Sequence, residues 1–136
     1  MDTFINLQVA DVTRSRAFFS ALGFEFNENF TSDTTMGMQI SDSSFVMMLH
    51  PDRFAGFLPG RTPAGPGTSE ALIALGLEDR GKVDEMLRLA VENGGADYRE
   101  PDEHGAMYGR SFTDLDGHVW EPFWFDRATL ARADGA

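Results

Sequence analysis

Apolar and polar positions alternate from Phe4 to Val9, with Ile5, Leu7 and Val9 on one side and Phe4, Asn6 and Gln8 on the other. A period of two is that of a strand half-buried in a sheet. Asp11 then stands where an N-cap is needed, and Val12, Phe18, Phe19 and Leu22 form a helical stripe that Gly23 ends. Phe24 to Phe30 reads as a further strand, followed by a hairpin about Asp42-Ser43-Ser44.

The same order returns in the second half. Leu72 to Leu77 is a strand with Ile73, Leu75 and Leu77 on one face. Val83, Met86, Leu87, Ala90 and Val91 fall at the spacing of a helix face, and Gly94-Gly95 ends that helix. Ala96 to Glu100 reads as a strand, and a last hairpin turns at Asp114-Leu115-Asp116-Gly117. Met36-Gly37-Met38-Gln39-Ile40-Ser41-Asp42 matches Tyr108-Gly109-Arg110-Ser111-Phe112-Thr113-Asp114 in pattern, an offset of about seventy-two residues. Each half is therefore βαβββ, an α+β arrangement. Neither half buries its sheet alone, so the expectation is one domain over 1–136. It comprises a module over about residues 2–58, a Pro- and Gly-rich connector over about 51–69, a module over about 70–126 and a tail over 127–136. A short helical turn is expected around Phe54 and Phe57 of the connector.

Charge narrows the partners. The net charge is −11, and no stretch gathers Lys and Arg into a phosphate-binding stripe, so nucleic acid is not an expected partner. The acidic excess serves solubility or attracts a cationic ligand, and both readings stand. The absence of cysteine excludes disulfides, thiolate metal sites and cysteine nucleophiles. No leader signature and no long apolar run occur, so the expected setting is the cytoplasm, without a membrane. No Ser-His-Asp set, phosphate loop or HExxH repeat suggests other chemistry.

Phe4-Ile5-Asn6-Leu7-Gln8-Val9-Ala10-Asp11, with Ser15, Phe18-Phe19 and Leu22-Gly23-Phe24, resembles the opening of the vicinal oxygen chelate superfamily. That is the glyoxalase, bleomycin-resistance and extradiol-dioxygenase group. The run from Tyr108 to Glu121 is similar to the family's last hairpin, and the resemblance covers about residues 2–126. It implies a cupped half-barrel of mixed sheet with helices outside, a small-molecule site and a homodimer. In metal-using relatives four side chains hold a divalent ion, and the resemblance places them at Phe4, Met48, Leu72 and Glu121. Only Glu121 offers a competent donor, so no metal and no other cofactor is expected. Whether His50, His104 or His118 builds another metal site stays open.

If Thr113 faces His118 across the last turn, Arg110 lies opposite Glu121 and Tyr108 opposite Phe123. The same arithmetic puts Met38 opposite Met48. The expected pocket is Phe4, Asn6, Gln8, Met38, Met48, Leu72, Tyr108, Arg110 and Phe123, joined by Met36 and by Glu121 as the candidate catalytic group. Two alternatives remain: that these residues are ordinary core, and that Arg110 and Glu121 are a structural ion pair. Trp120 and Trp124 are assigned to core, and Glu100 to Gly105 is a candidate lid carrying His104. The functional expectation is metal-free binding or sequestration of a small organic molecule. The alternatives are a divalent-metal-dependent lyase of the lactoylglutathione lyase kind or a dioxygenase, and a metal-free enzyme with Glu121 as general base.

Overall fold

A computed structural model describes residues 1–128. The chain divides into two compact units, Met1–Pro66 and Gly67–Ala136, and the boundary falls within the expected connector.

The first unit runs β1 (Thr3–Gln8), α1 (Val12–Ala21), β2 (Glu25–Phe26), a 3-10 turn (Glu28–Phe30), β3 (Thr35–Ser41), β4 (Ser44–Leu49) and α2 (Pro51–Gly56). Its sheet has the order β1-β4-β3-β2, with β1 parallel to β4. The Asp11 side chain accepts from the Arg14 backbone N–H at 3.0 Å, as an N-cap should. Gly23, at φ +99°, lets the chain leave α1. The expected strand over Phe24 to Phe30 shrinks to Glu25–Phe26, because the Asn27 side chain accepts from the Asn29 N–H and starts the 3-10 turn.

Helix α1 covers the sheet face that carries Phe26, since the Arg16 guanidinium lies 5.0 Å from that ring, and Phe26 is in register with Met38. On this face Met36, Met38, Val46 and Met48 are fully buried. Met36 pairs with Met48 and Met38 with Val46, which corrects the expected opposition of Met38 and Met48. The hairpin closes tightly at Ser41 and Ser44, and a bulge between Gln39 and Ser41 shifts the count. His50 caps α2 through Nδ1, which accepts from the Asp52 N–H at 3.3 Å.

The second unit runs β5 (Leu72–Gly76), α3 (Arg80–Glu92), β6 (Ala96–His104), β7 (Met107–Thr113) and β8 (Val119–Phe125). Its sheet order, β5-β8-β7-β6, repeats that of the first unit. Asp79 caps α3, accepting from the Lys82 N–H at 2.8 Å. Val83, Leu87 and Ala90 of the helix are buried, as are Ile73, Leu75, Phe112 and Trp120 of the sheet. Each unit is thus βαβββ, and the chain is α+β. Strand β6 continues four residues past its expected end, and the tail from residue 129 onward lies outside the described residues. Among the described residues no helix is long and apolar enough to cross a membrane.

Candidate functional site

The face on which each residue of β7 and β8 stands is set by the turn between them. Asp114 N–H donates to the His118 carbonyl at 3.0 Å, closing a three-residue loop with Gly117 at φ +86°. Thr113 is therefore opposite Val119 rather than His118. A shift of one residue turns every side chain to the other face. Tyr108 lies opposite Trp124, not Phe123, and Phe112 opposite Trp120. In that register Arg110 aligns with Pro122 and Ser111 with Glu121, so the expected Arg110–Glu121 pair does not form.

Tyr108 and Arg110 stand instead on the face under α3. The Tyr108 hydroxyl donates to Asp84 of that helix, and this bond together with burial pushes the phenol above its ordinary value. Arg110 Nη2 donates to Asp97 Oδ2 at 3.0 Å, and its Nη1 lies 3.9 Å from Asp84 Oδ1. Burial works against the Arg110 charge, but Tyr108, Asp97 and Asp84 together hold its pKa raised.

The opposite face of this sheet carries Leu72 and Ala74 of β5, Glu121 and Phe123 of β8, and Ser111 of β7. Two register shifts in β6 bring further groups to it. Asp97 pairs with Phe112, Arg99 with Ser111 and Asp102 with Gly109. In an unbroken strand Asp97 and Arg99 would share a face and Asp102 would not. The shifts divide them: Asp97 goes with Arg110, while Arg99 and Asp102 go with Glu121.

There Arg99 Nη2 donates to Glu121 Oε2 at 2.5 Å, and Arg99 Nε donates to Ser111 Oγ at 3.1 Å. The Ser111 hydroxyl is in turn 3.5 Å from Glu121 Oε2. The same Arg99 Nη2 lies 3.8 Å from Asp102 Oδ2, and His104 Nε2 is 2.7 Å from Asp102 Oδ1. The Glu121 side chain keeps 20% of its surface exposed and that of Arg99 47%. The segment expected as a lid is strand and tight turn, since Asp102, Glu103 and His104 all pair with β7.

In the first unit the face away from α1 carries Phe4, Phe45 and Met47. The Phe4 and Phe45 rings stack at 4.8 Å, and Phe30 meets both edge-on at 5.7 Å. Asn6 is exposed on this face, and Gln8 Nε2 donates to the Ala64 carbonyl at 2.9 Å. Because Leu7 pairs with Met48 and Asn6 with Met47, Phe4 and Met48 lie on opposite faces. The expected methionine wall of Met38 and Met48 is thus core under α1.

Of the expected pocket, the faces away from the helices hold Phe4, Asn6 and Gln8 in one unit and Leu72, Phe123 and Glu121 in the other. The helix-covered faces hold Met38, Met48, Tyr108 and Arg110. The sequence gives Arg99 no site role, places Ser111 only in the repeat and Asp102 only in the candidate lid, because no signal marks the bulges. A cleft of about 330 Å³ beside Trp124 and Arg127 is lined by none of the expected residues.

The donor set does not suit the divalent ion that metal-using relatives hold. Phe4 and Leu72 have no donor atom, Met48 faces α1, and its neighbour Met47 on the Phe4 face is another thioether. His50 caps α2, His104 is engaged by Asp102, and His118 lies in the last turn. Among the described residues no group of three or more His, Asp or Glu is arranged to hold a metal ion.

A family model described as the Glyoxalase/Bleomycin resistance protein/Dioxygenase superfamily matches residues 3–121. No curated protein matches the chain. Among solved structures, a hypothetical protein from S. aureus is 31% identical with a TM-score of 0.76, over 89% of this chain and 91% of its own. A glyoxalase/bleomycin resistance protein/dioxygenase family enzyme from Burkholderia phytofirmans is 18% identical with a TM-score of 0.76, over 93% of this chain and 100% of its own. A glyoxalase-related enzyme from Fulvimarina pelagi is 18% identical with a TM-score of 0.77, over 91% of this chain and 87% of its own. At that identity the last two speak for the fold alone.

Proposed function

The chain belongs to the glyoxalase/bleomycin resistance protein/dioxygenase superfamily, and on that premise we propose that it binds a small organic molecule without a divalent metal ion. The observation that carries this reading is the 2.5 Å contact between Arg99 and Glu121. A carboxylate that is to ligate an ion must offer its charge to that ion, and here a guanidinium has already taken it. The same pair suits an organic ligand. Glu121 Oε1 and Arg99 Nη1 make no hydrogen bond among the described residues, so an acceptor and a donor remain for a polar head. Leu72, 60% exposed, and Phe123 on the same face supply apolar contact. The proposal extends to a homodimer in the cytoplasm, the first part of which sedimentation equilibrium checks.

Metal analysis of protein purified without chelators, joined to an NMR screen of small organic molecules, tests the reading. The expected result is little metal, and ligands whose shifts cluster at Leu72, Arg99, Ser111 and Glu121. About one ion per chain, lost in Glu121→Gln, would replace the reading with a metal-dependent lyase or dioxygenase. Metal-free turnover lost in the same variant would make Glu121 a general base.

A further inference from the structure

We infer that Arg99 is the specificity-determining residue of this face, an internal cation that occupies the charge of Glu121 and Asp102 and so keeps divalent metal ions off. The inference rests on the metal-free reading above and explains how this chain enforces it. One guanidinium nitrogen, Nη2, serves both carboxylates, at 2.5 Å from Glu121 and 3.8 Å from Asp102. Two breaks in the β6–β7 register are needed to bring Arg99 and Asp102 to the same face as Glu121. The Arg99 Nε bond to Ser111 at 3.1 Å then fixes the plane of the guanidinium.

Arginine is suited to this task because its planar guanidinium offers donors in a rigid fork that matches carboxylate geometry. Without Arg99, two carboxylates would share one face with no cation between them. They would be flanked by the Ser111 hydroxyl, 3.5 Å from Glu121, and by the His104 imidazole, 2.7 Å from Asp102. Carboxylates left without a counter-charge attract a divalent cation through that charge, and their oxygens suit Mn2+. Removing one positive charge a few ångströms from a divalent ion strengthens its binding about ten-fold even in a water-like dielectric.

Mn2+ titration, followed by paramagnetic broadening of assigned amide signals, tests the inference on the intact chain. Wild type should show only diffuse broadening over its acidic surface. Arg99→Gln should broaden the signals of Asp102, Ser111 and Glu121 selectively, with an affinity about ten-fold higher. Arg99→Lys keeps the charge and should behave as wild type, while Arg99→Gln with Glu121→Gln should lose the gain. If Arg99→Gln does not fold, Arg99→Met asks the same question with a different neutral side chain. A folded neutral variant that binds Mn2+ no better than wild type overturns the inference and leaves the metal-free reading standing. Arg99→Lys binding as well as Arg99→Gln would overturn it too, since charge would not be the cause. Selective broadening around Glu121 in wild type would overturn both.

Discussion

Arg99 and Glu121 meet across an intervening strand, with the guanidinium 2.5 Å from the carboxylate and its Nε 3.1 Å from Ser111 Oγ of β7. The pair is half wet, so its worth lies near the upper end of the range for surface ion pairs, about 1 kcal/mol. A double-mutant cycle of Arg99→Ala and Glu121→Ala in urea unfolding should return a coupling of that size. The same cycle with Arg110→Ala in place of Arg99→Ala should return none, because Arg110 lies on the α3 face with Asp97 and Asp84. A coupling larger for Arg110 than for Arg99 would contradict the register of the β7–β8 hairpin.

Periodicity made the fold legible but left the site half hidden. The alternation in β1 and β5, the caps at Asp11 and the glycine stop at Gly23 are local signals, and each sits where the pattern places it. Faces are different, because they depend on a count across a turn. A three-residue loop at Leu115 to Gly117, in place of the expected four-residue one, sends Arg110 to the helix side and gives Ser111 to Glu121. Bulges are harder still, since an extra residue in β6 leaves no compositional mark, and Arg99 reaches Glu121 only through it. The sequence repeat also hides a difference: Asp42 is exposed in its turn, whereas its counterpart Asp114 is buried.

That buried Asp114 carries a pH dependence. Its carboxylate accepts from the backbone N–H groups of Asp116 and His118 and from Trp120 Nε1 at 2.9–3.0 Å. Burial nonetheless pushes its pKa above the ordinary aspartate value, against the pull of His118 and those donors. A carboxyl raised in the folded state binds its proton more tightly there than in the unfolded chain. The resulting stabilisation is full below the unfolded value of about 3.9 and is lost as pH rises through the native one. Stability of wild type relative to Asp114→Asn should therefore fall as pH rises from that value toward neutrality, measured by urea unfolding. Asp114→Ala, which strands three donors, should cost about 2–4 kcal/mol.

Tyr108 gives a second pH signature on the α3 face. Its hydroxyl donates to Asp84, and that bond first and burial second raise the phenol pKa. The neutral phenol is thus favoured in the folded state, so this contribution to stability is present below the unfolded value of about 10 and lost as pH rises through the native one. Ultraviolet titration should show a phenolate signal, absent in Tyr108→Phe, that appears at higher pH than an ordinary tyrosine. Asp84→Asn should move it down. An unchanged titration in Asp84→Asn would remove the helix carboxylate as the cause.

The two glycines that mark the internal repeat, Gly37 and Gly109, should differ in their tolerance of a methyl group. A Cβ at Gly37 would stand 2.7 Å from the Phe30 Cβ and 3.5 Å from the Phe30 carbonyl oxygen. Both are close to the backbone of the 3-10 turn, so neither can swing away as the end of a flexible side chain would. At Gly109 the nearest atom, the Phe123 Cβ, is 3.5 Å away, an ordinary contact. Gly37→Ala should therefore push the 3-10 turn off the sheet and cost about 1–3 kcal/mol, the usual penalty of overpacking. Gly109→Ala should change the melting temperature little. Phe30→Gly combined with Gly37→Ala removes the clashing Cβ, so the double variant should be more stable than the sum of the two single effects. Equal losses at the two glycines, or strict additivity with Phe30→Gly, would mean that the close approach of Phe30 is not what requires a glycine at position 37.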